Sequence, residues 1–226
     1  QHKMKANELI EYRETTGEEA LWTNSMFGGM PGYMMSMKPR GNFLAPTDNI
    51  FSLFLPFPVR FLFLYMVGFY FLSSILGAKP FHAMALSIAY GFGSYFFLNL
   101  EAGHNTKVHA LAYMAPILGA LVLTLKRQYL VGGILLILLL SIQIYKNHLQ
   151  ITYYTMMAAG LLYLISLIFK LKEKDLKGAG ISFGVLLLGV LIAFGTNSTR
   201  LLVVQEYAKE TTRGGQSELS TDQSNQ

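Results

Sequence analysis

Long apolar segments alternate with short polar ones through most of the chain after residue 58. A helix needs about 20 mainly apolar residues to cross the hydrocarbon core of a bilayer. Six segments reach or approach that length, so the pattern predicts six transmembrane helices. They are Val59–Leu76, Phe81–Leu100, Val108–Leu125, Tyr129–Tyr145, Ile151–Phe169 and Ala179–Phe194.

The composition supports a membrane protein. Only 14% of the 226 residues are charged, whereas soluble domains usually carry about 25%.

The predicted fold class is all-α: a polytopic transmembrane helix bundle of about six helices, with an outward N-terminal region that contains an amphipathic helix and a Gly/Pro-rich loop. We expect an extracytoplasmic region at residues 1–57, a transmembrane region at 58–195 and an extracytoplasmic tail at 196–226. The chain has no cysteine, which excludes disulfides and thiolate metal sites.

Basic residues in the connecting segments predict the orientation, because loops rich in Lys and Arg stay in the cytoplasm. The connections after the first, third and fifth predicted helices hold seven: Lys79, Lys126, Arg127, Lys170, Lys172, Lys174 and Lys177. The connections after the second and fourth helices hold two, Lys107 and Lys146. The second group is therefore predicted to face outward. Because this topology accounts for the basic residues, we expect no nucleic-acid partner.

The motifs richest in polar and aromatic side chains all fall on the predicted outer side. They are WTNSMFGGMPGY (22–33), EAGHNTK (101–107), KNHLQITYY (146–154) and YAKETTRGG (207–215). We therefore predict an extracytoplasmic functional face.

The start of the third predicted helix, near His104, is the first candidate site. A helix start offers backbone N–H groups and the positive end of the helix dipole, and Lys107 lies on nearly the same face as His104. Together these groups predict an anion site at the membrane surface. The structural alternative is that Asn105 caps the helix and Lys107 extends toward lipid head groups. His109 lies one turn further on, where ionisable residues usually face a cavity.

The start of the fifth predicted helix repeats the arrangement with His148 and Gln150. Asn147 and Gln150 also fit the spacing of a capping box, which is the structural alternative for both. Two histidine-bearing helix starts do not form a metal-ligand spacing, so no metal or other cofactor is predicted. In the tail, Arg213 is followed by two glycines and could hold a phosphate through its guanidinium and a backbone nest. An exposed loop of that composition is equally ordinary.

Taken in series, with the helices between them, four motifs resemble the YfhO-type bacterial membrane proteins, particularly the large versions found in Bacteroidetes. The motifs are WTNSMFGGMPGY, AGHNTKVHALAY, NHLQITYY and YAKETTRGG. The resemblance covers nearly the whole chain. Members of the family are several times longer, so the resemblance implies an N-terminal portion that lacks the first helix. The family is grouped with the GT-C glycosyltransferases, membrane enzymes that take sugars from polyprenyl-phosphate donors.

The resemblance implies sugar transfer from a polyprenyl-phosphate donor to a glycan or lipid acceptor of the cell envelope. The reaction would take place within membrane lipid, at the outer face of the bacterial inner membrane. The residues expected to bind the donor phosphate are His104, Asn105, Lys107, His148, Gln150 and Arg213. Trp22 or Tyr33 would stack on a sugar face. The acidic catalytic base is expected just upstream of residue 1, so no catalytic residue is assigned within the chain.

Two other classes of function stay open. One is a transporter or flippase of a lipid-linked or anionic substrate, although the predicted helices hold no charged residue at mid-membrane, where transporters usually keep polar groups. The other is a non-catalytic scaffold of an envelope assembly, for which the absence of an assigned base is the best argument.

Overall fold

The computed structural model describes residues 7–24, 29–32 and 42–209. In chain order the described elements are α1 (Asn7–Thr16), β1 (Trp22–Thr23), β2 (Met30–Pro31), α2 (Thr47–Phe51), α3 (Val59–Ile75), α4 (Pro80–Gly91), α5 (Ser94–Glu101), α6 (Asn105–Ala112), α7 (Met114–Leu125), α8 (Tyr129–Tyr145), α9 (Leu149–Lys172), α10 (Leu176–Gly195) and α11 (Ser198–Lys209). The chain divides into two compact units. One is Asn42–Asn197, and the other holds the residues before and after it.

The smaller unit contains the predicted N-terminal helix, α1. Leu9 on this helix is buried, and the Thr23 hydroxyl donates a hydrogen bond to Glu8 Oε2 at 2.7 Å. β1 and β2 pair in an antiparallel ladder with Trp22 opposite Pro31. This two-residue ladder is a small departure from the predicted all-α class, in a chain that is otherwise mostly helical.

Four stretches of the described residues are long and apolar enough to cross a membrane. They are Pro80–Glu101 (α4 and α5), Asn105–Leu125 (α6 and α7), α9 and α10. α3 and α8 are also apolar but shorter, at 17 residues each. All six predicted apolar segments are therefore helical, while the number of spans and the GT-C architecture stay predictions.

The stretch Asn105–Leu125 is the most enclosed of the four. Of its apolar window 67% is buried, against 11% for α9, because α7 packs against α3, α8, α9 and α10. The approach of α3 is especially close: a Cβ added to Gly68 would lie 2.8 Å from Pro116 Cδ. α7 therefore forms the centre of the larger unit, and α9 turns most of its apolar side chains outward.

Two of the four apolar stretches are interrupted. α4 ends at Gly91 and α5 begins at Ser94, whereas α6 gives way to α7 at Tyr113. Pro116 has no N–H to donate to the carbonyl of Ala112 four residues earlier, so regular helical hydrogen bonding fails at this second break.

The end of the bundle at which α3 and α7 both finish has its own polar contacts. Lys126 Nζ donates to the carbonyl of Ile75, and Arg127 Nη2 lies 2.7 Å from Asp175 Oδ2. Asp175 is also the N-cap of α10, since its carboxylate accepts from the Gly178 N–H. We call this the Asp175 end.

Asn42 and Asn197, the first and last residues of the larger unit, are hydrogen-bonded to each other. Asn42 Nδ2 donates to Asn197 Oδ1 at 2.7 Å. Asn197 Nδ2 donates to the carbonyls of Ser141 at 3.1 Å and Ala193 at 2.8 Å. Both ends of the unit are thus held against the interior of α8 and the last turn of α10.

Candidate functional site

The starts of α6 and α9 carry the side chains predicted to form an anion site. His104 is the N-cap residue of α6 and His148 that of α9, and neither side chain accepts a hydrogen bond from its own helix. A helix start without a side-chain cap presents its first N–H groups and the positive end of its dipole to whatever lies in front of it.

His104, Lys107 and His148 lie close enough for their charges to interact. Burial lowers the pKa of His148, and the positive charges of Lys107 and His104 lower it further, against a backbone hydrogen bond that raises it. Lys107 Nζ also lies 5.1 Å from the centroid of the Tyr95 ring, an attractive contact for an ammonium group. We call His104, Lys107 and His148 the cationic cluster.

Two buried polar atoms next to the cationic cluster have no hydrogen-bond partner. They are Oδ1 of Asn105 and Oγ1 of Thr152. Thr152 follows His148 by four residues and so lies on the same face of α9. An unpaired buried polar group costs about 1–3 kcal/mol, so the packing beside the cationic cluster is incompletely satisfied.

The capping alternatives for these helix starts are wrong. Asn105 is the first residue of α6 and not its cap. Asn147 lies in the connection before α9, with a φ of 57°, and the cap position belongs to His148. Gln150 does not reach back to a cap either, since its Nε2 donates to the Tyr154 hydroxyl at 2.8 Å.

Gln150 and Trp22 are the other predicted site residues that the structure describes. Gln150 is exposed. Trp22 is 55% exposed, and its Nε1 donates to Asn24 Oδ1 at 3.1 Å. Tyr33 and Arg213 lie outside the described residues, so their proposed contacts stay predictions, as does that of Trp22.

A second polar cluster surrounds Asp48, a residue that the sequence analysis did not single out. Asp48 is only 4% exposed. Its Oδ1 accepts hydrogen bonds from the Tyr113 hydroxyl and from His109 Nε2 at 2.8 Å. Its Oδ2 accepts from Lys146 Nζ at 2.7 Å and Arg60 Nη2 at 3.1 Å. We call these five side chains the Asp48 cluster.

Asp48 is not suited to act as a general base. Burial alone raises its pKa, but the hydrogen bond and electrostatic attraction to His109, with the charge of Lys146, outweigh burial and hold the pKa well below its usual range. Each carboxylate oxygen already accepts two hydrogen bonds. A carboxylate stabilised in this way has little tendency to take a proton from a substrate.

The partners of Asp48 explain why sequence reasoning missed it. Arg60, His109, Tyr113 and Lys146 follow it by 12, 61, 65 and 98 residues. One signal was available, because an ionisable residue such as His109 inside an apolar helix calls for a polar partner. Nothing in the sequence pattern identified that partner as Asp48.

Within residues 7–24, 29–32 and 42–209, no group of three or more His, Asp or Glu side chains could hold a metal ion.

No protein-family model, curated protein or solved structure matches the chain. The fold and hydropathy therefore define its class only: a mostly helical protein whose described part contains four stretches able to cross a membrane. The YfhO-type family stays a prediction from the sequence.

Proposed function

We propose that the chain belongs to a membrane glycosyltransferase that moves a sugar from a polyprenyl-phosphate donor to a glycan or lipid acceptor of the cell envelope. The observation that carries the proposal is the convergence of two helix starts, without side-chain caps, in the cationic cluster. Helix N-termini favour phosphate because their N–H groups and dipoles point at it. Both starts lie at the ends of stretches able to cross a membrane, the depth at which a lipid-linked phosphate resides.

The cationic cluster would act on the leaving group. In the transfer, the acceptor oxygen forms a bond to C1 of the sugar while the bond from C1 to the donor phosphate oxygen breaks. Negative charge then grows on the phosphate, where Lys107, His148 and the two helix starts would stabilise it.

The acceptor proton requires a base, and the proposal assigns that role to none of the described residues. Asp48 does not take this role in the proposal, because its oxygens are occupied and its pKa is lowered. The chain would therefore supply the phosphate-binding part of the site.

The proposal is tested with the protein in native-lipid nanodiscs. Radiolabelled undecaprenyl-phosphate sugars and a membrane lipid extract are added, and label that leaves the donor is measured. We expect transfer by the wild type and a loss of at least about 10-fold in Lys107→Ala and His148→Ala, since single charged hydrogen bonds contribute about 1.5–3 kcal/mol.

The matched control is Lys172→Ala, which removes an exposed lysine from the last turn of α9. This variant should transfer as the wild type does. Transfer that is equal in all four proteins at equal expression contradicts the role of the cationic cluster.

A flippase is the second candidate, and one observation favours it. Two apolar stretches are interrupted, at residues 92–93 and at Tyr113, and discontinuous helices commonly bind transported substrates. The same assay separates the two functions if the label is also located across the bilayer of sealed vesicles. Intact donor that crosses the bilayer supports the flippase.

A further inference from the structure

The Asp48 cluster and the cationic cluster share two short backbone segments. Between α8 and α9, Lys146 binds Asp48, and His148 follows two residues later. On α6, His109 binds Asp48, and Lys107 precedes it by two residues. The Asp48 carboxylate thus binds one residue two positions before His148 and another two positions after Lys107. In this way it is linked to both helix starts of the cationic cluster.

The segment from Lys146 to His148 is short and well fixed. The Lys146 N–H donates to the carbonyl of Ile142 at 3.1 Å, and the Asn147 N–H to that of Ile144 at 2.9 Å. Asn147 adopts the left-handed conformation, with φ at 57°, which asparagine tolerates better than most residues. A displacement of Lys146 would therefore be passed directly to His148 and the start of α9.

We propose that Asp48 is a positioning residue for the cationic cluster: by holding Lys146 and His109 on one carboxylate, it fixes the spacing between the starts of α9 and α6. The inference rests on the proposed function only for the nature of the ligand. The spacing itself is a property of the folded chain and can be measured without any substrate.

The role requires a carboxylate of this length. An ionised aspartate offers acceptors only, which matches the four donors around it. Asparagine has the same size, but its Nδ2 is a hydrogen-bond donor. It would face the donor groups of Lys146 or Arg60 and could not accept from them. Glutamate keeps the charge but adds one methylene. Asp48→Asn and Asp48→Glu therefore separate charge from length.

The test uses the absence of cysteine from the chain. Thr106→Cys and Tyr153→Cys introduce one exposed cysteine next to each helix start. Leu130→Cys and Lys172→Cys form a control pair of exposed positions near the Asp175 end. Spin labels are attached to one pair at a time, and the distance distribution is measured by pulsed EPR in nanodiscs, with and without Asp48→Asn.

We expect Asp48→Asn to shift and broaden the distances of the first pair and to leave the control pair unchanged. If neither pair changes, or both broaden alike, Asp48 is not a positioning residue but at most a general contributor to stability. Where Asp48→Asn does not fold, Asp48→Glu is measured in its place. A broadened distance distribution of the first pair supports the inference, and an unchanged distribution overturns it.

A second readout is the pKa of His148, measured by NMR titration. The His148 signal is identified by its absence in the His148→Gln variant. Removal of a nearby anion can, by itself, only lower the pKa of a histidine. Movement of His148 away from Lys107 and His104, or into solvent, raises the pKa toward the ordinary 6.5. A rise in Asp48→Asn therefore supports the inference, and a fall or no change contradicts it. Sugar transfer plays no part in either readout, so failure of the proposed function is a separate result.

Discussion

The Asp48 cluster and the cationic cluster are neighbours in the fold but are built in opposite ways. In the first, one carboxylate is matched by four donors and is almost fully buried. In the second, the charges that act on His148 are both positive, and adjacent polar atoms lack partners. The Asp48 carboxylate is satisfied within the chain, although the neighbouring Arg60 Nε is buried without a partner, whereas the proposed anion site would gain from a ligand that comes from outside.

The difference shows how a single region can combine rigidity with binding. A buried charge that has its partners resists rearrangement, because any movement leaves a charge unpaired in a poor solvent. Cations at helix N-termini, in contrast, attract phosphate. We expect Asp48 to contribute mainly to stability, and Lys107 and His148 mainly to the proposed ligand binding, and mutations can test that division.

The largest expected effect is on stability, in Asp48→Ala. This variant removes the buried carboxylate from His109 and Tyr113 and from the partly buried Arg60 and Lys146. Breaking one partner of a buried ion pair typically costs about 3–5 kcal/mol. We expect a loss of that size in reversible unfolding in mixed micelles. Ile50→Ala, at a position of α2 that is 61% exposed, is the control and should lose much less.

The stability supplied by the Asp48 charge should also depend on pH. Because the pKa of Asp48 is lowered in the folded protein, the contribution is complete above the unfolded value of about 3.9. It is lost as the pH falls through the lower folded pKa. The difference in unfolding free energy between wild type and Asp48→Asn should therefore be constant from pH 6 to 8 and shrink only in strong acid. A difference that shrinks near pH 6 would assign the effect to another group.

The next largest effect is on anion binding, in Lys107→Ala. A charged hydrogen bond contributes about 1.5–3 kcal/mol, so binding of polyprenyl phosphate in nanodiscs should weaken roughly 10-fold or more. Stability should change little, because Lys107 is only half-buried and its described contact is with the Tyr95 ring. Equal losses of binding and stability would remove the distinction between the two clusters.

A smaller effect is expected when pH changes the charge of His148. Burial and the charges of Lys107 and His104 lower the pKa of His148 below 6.5, so the side chain is neutral at pH 7.5. Protonation below pH 6.5 adds a cation and should strengthen binding of a phosphodiester head group, whose own charge does not titrate in this range. His148→Gln should show a shallower rise in affinity over the same interval. Identical slopes would exclude His148 from the anion site.

The smallest effect is expected at the Asp175 end, in Arg127→Gln. The Arg127 side chain is 65% exposed, and exposed ion pairs contribute little because water and salt screen them. We expect no measurable change in unfolding or in anion binding. A loss comparable to that of Asp48→Ala would mean that burial does not explain the strength of the Asp48 cluster.

The sequence predicted the helices and two of the site's elements because these depend on local patterns. Apolar segment length located all six helical segments, and the polar residues around His104 and His148 indicated where α6 and α9 begin. Asp48 depends on three-dimensional proximity instead, since Lys146 lies 98 residues away in sequence. The predicted caps failed for a related reason: a suitable residue type does not determine which side chain faces the first turn.

The hydrogen bond between Asn42 and Asn197 holds the two ends of the larger unit together, which permits its helices to be encoded in a different order. Because the two ends of this unit touch, a short linker could join them without displacing α3 to α10. New termini could then be opened between α9 and α10, where Glu173, Lys174 and Asp175 separate the helices. A circularly permuted gene should therefore yield the same packed helices. The fold of this unit would then not depend on which helix comes first in the sequence.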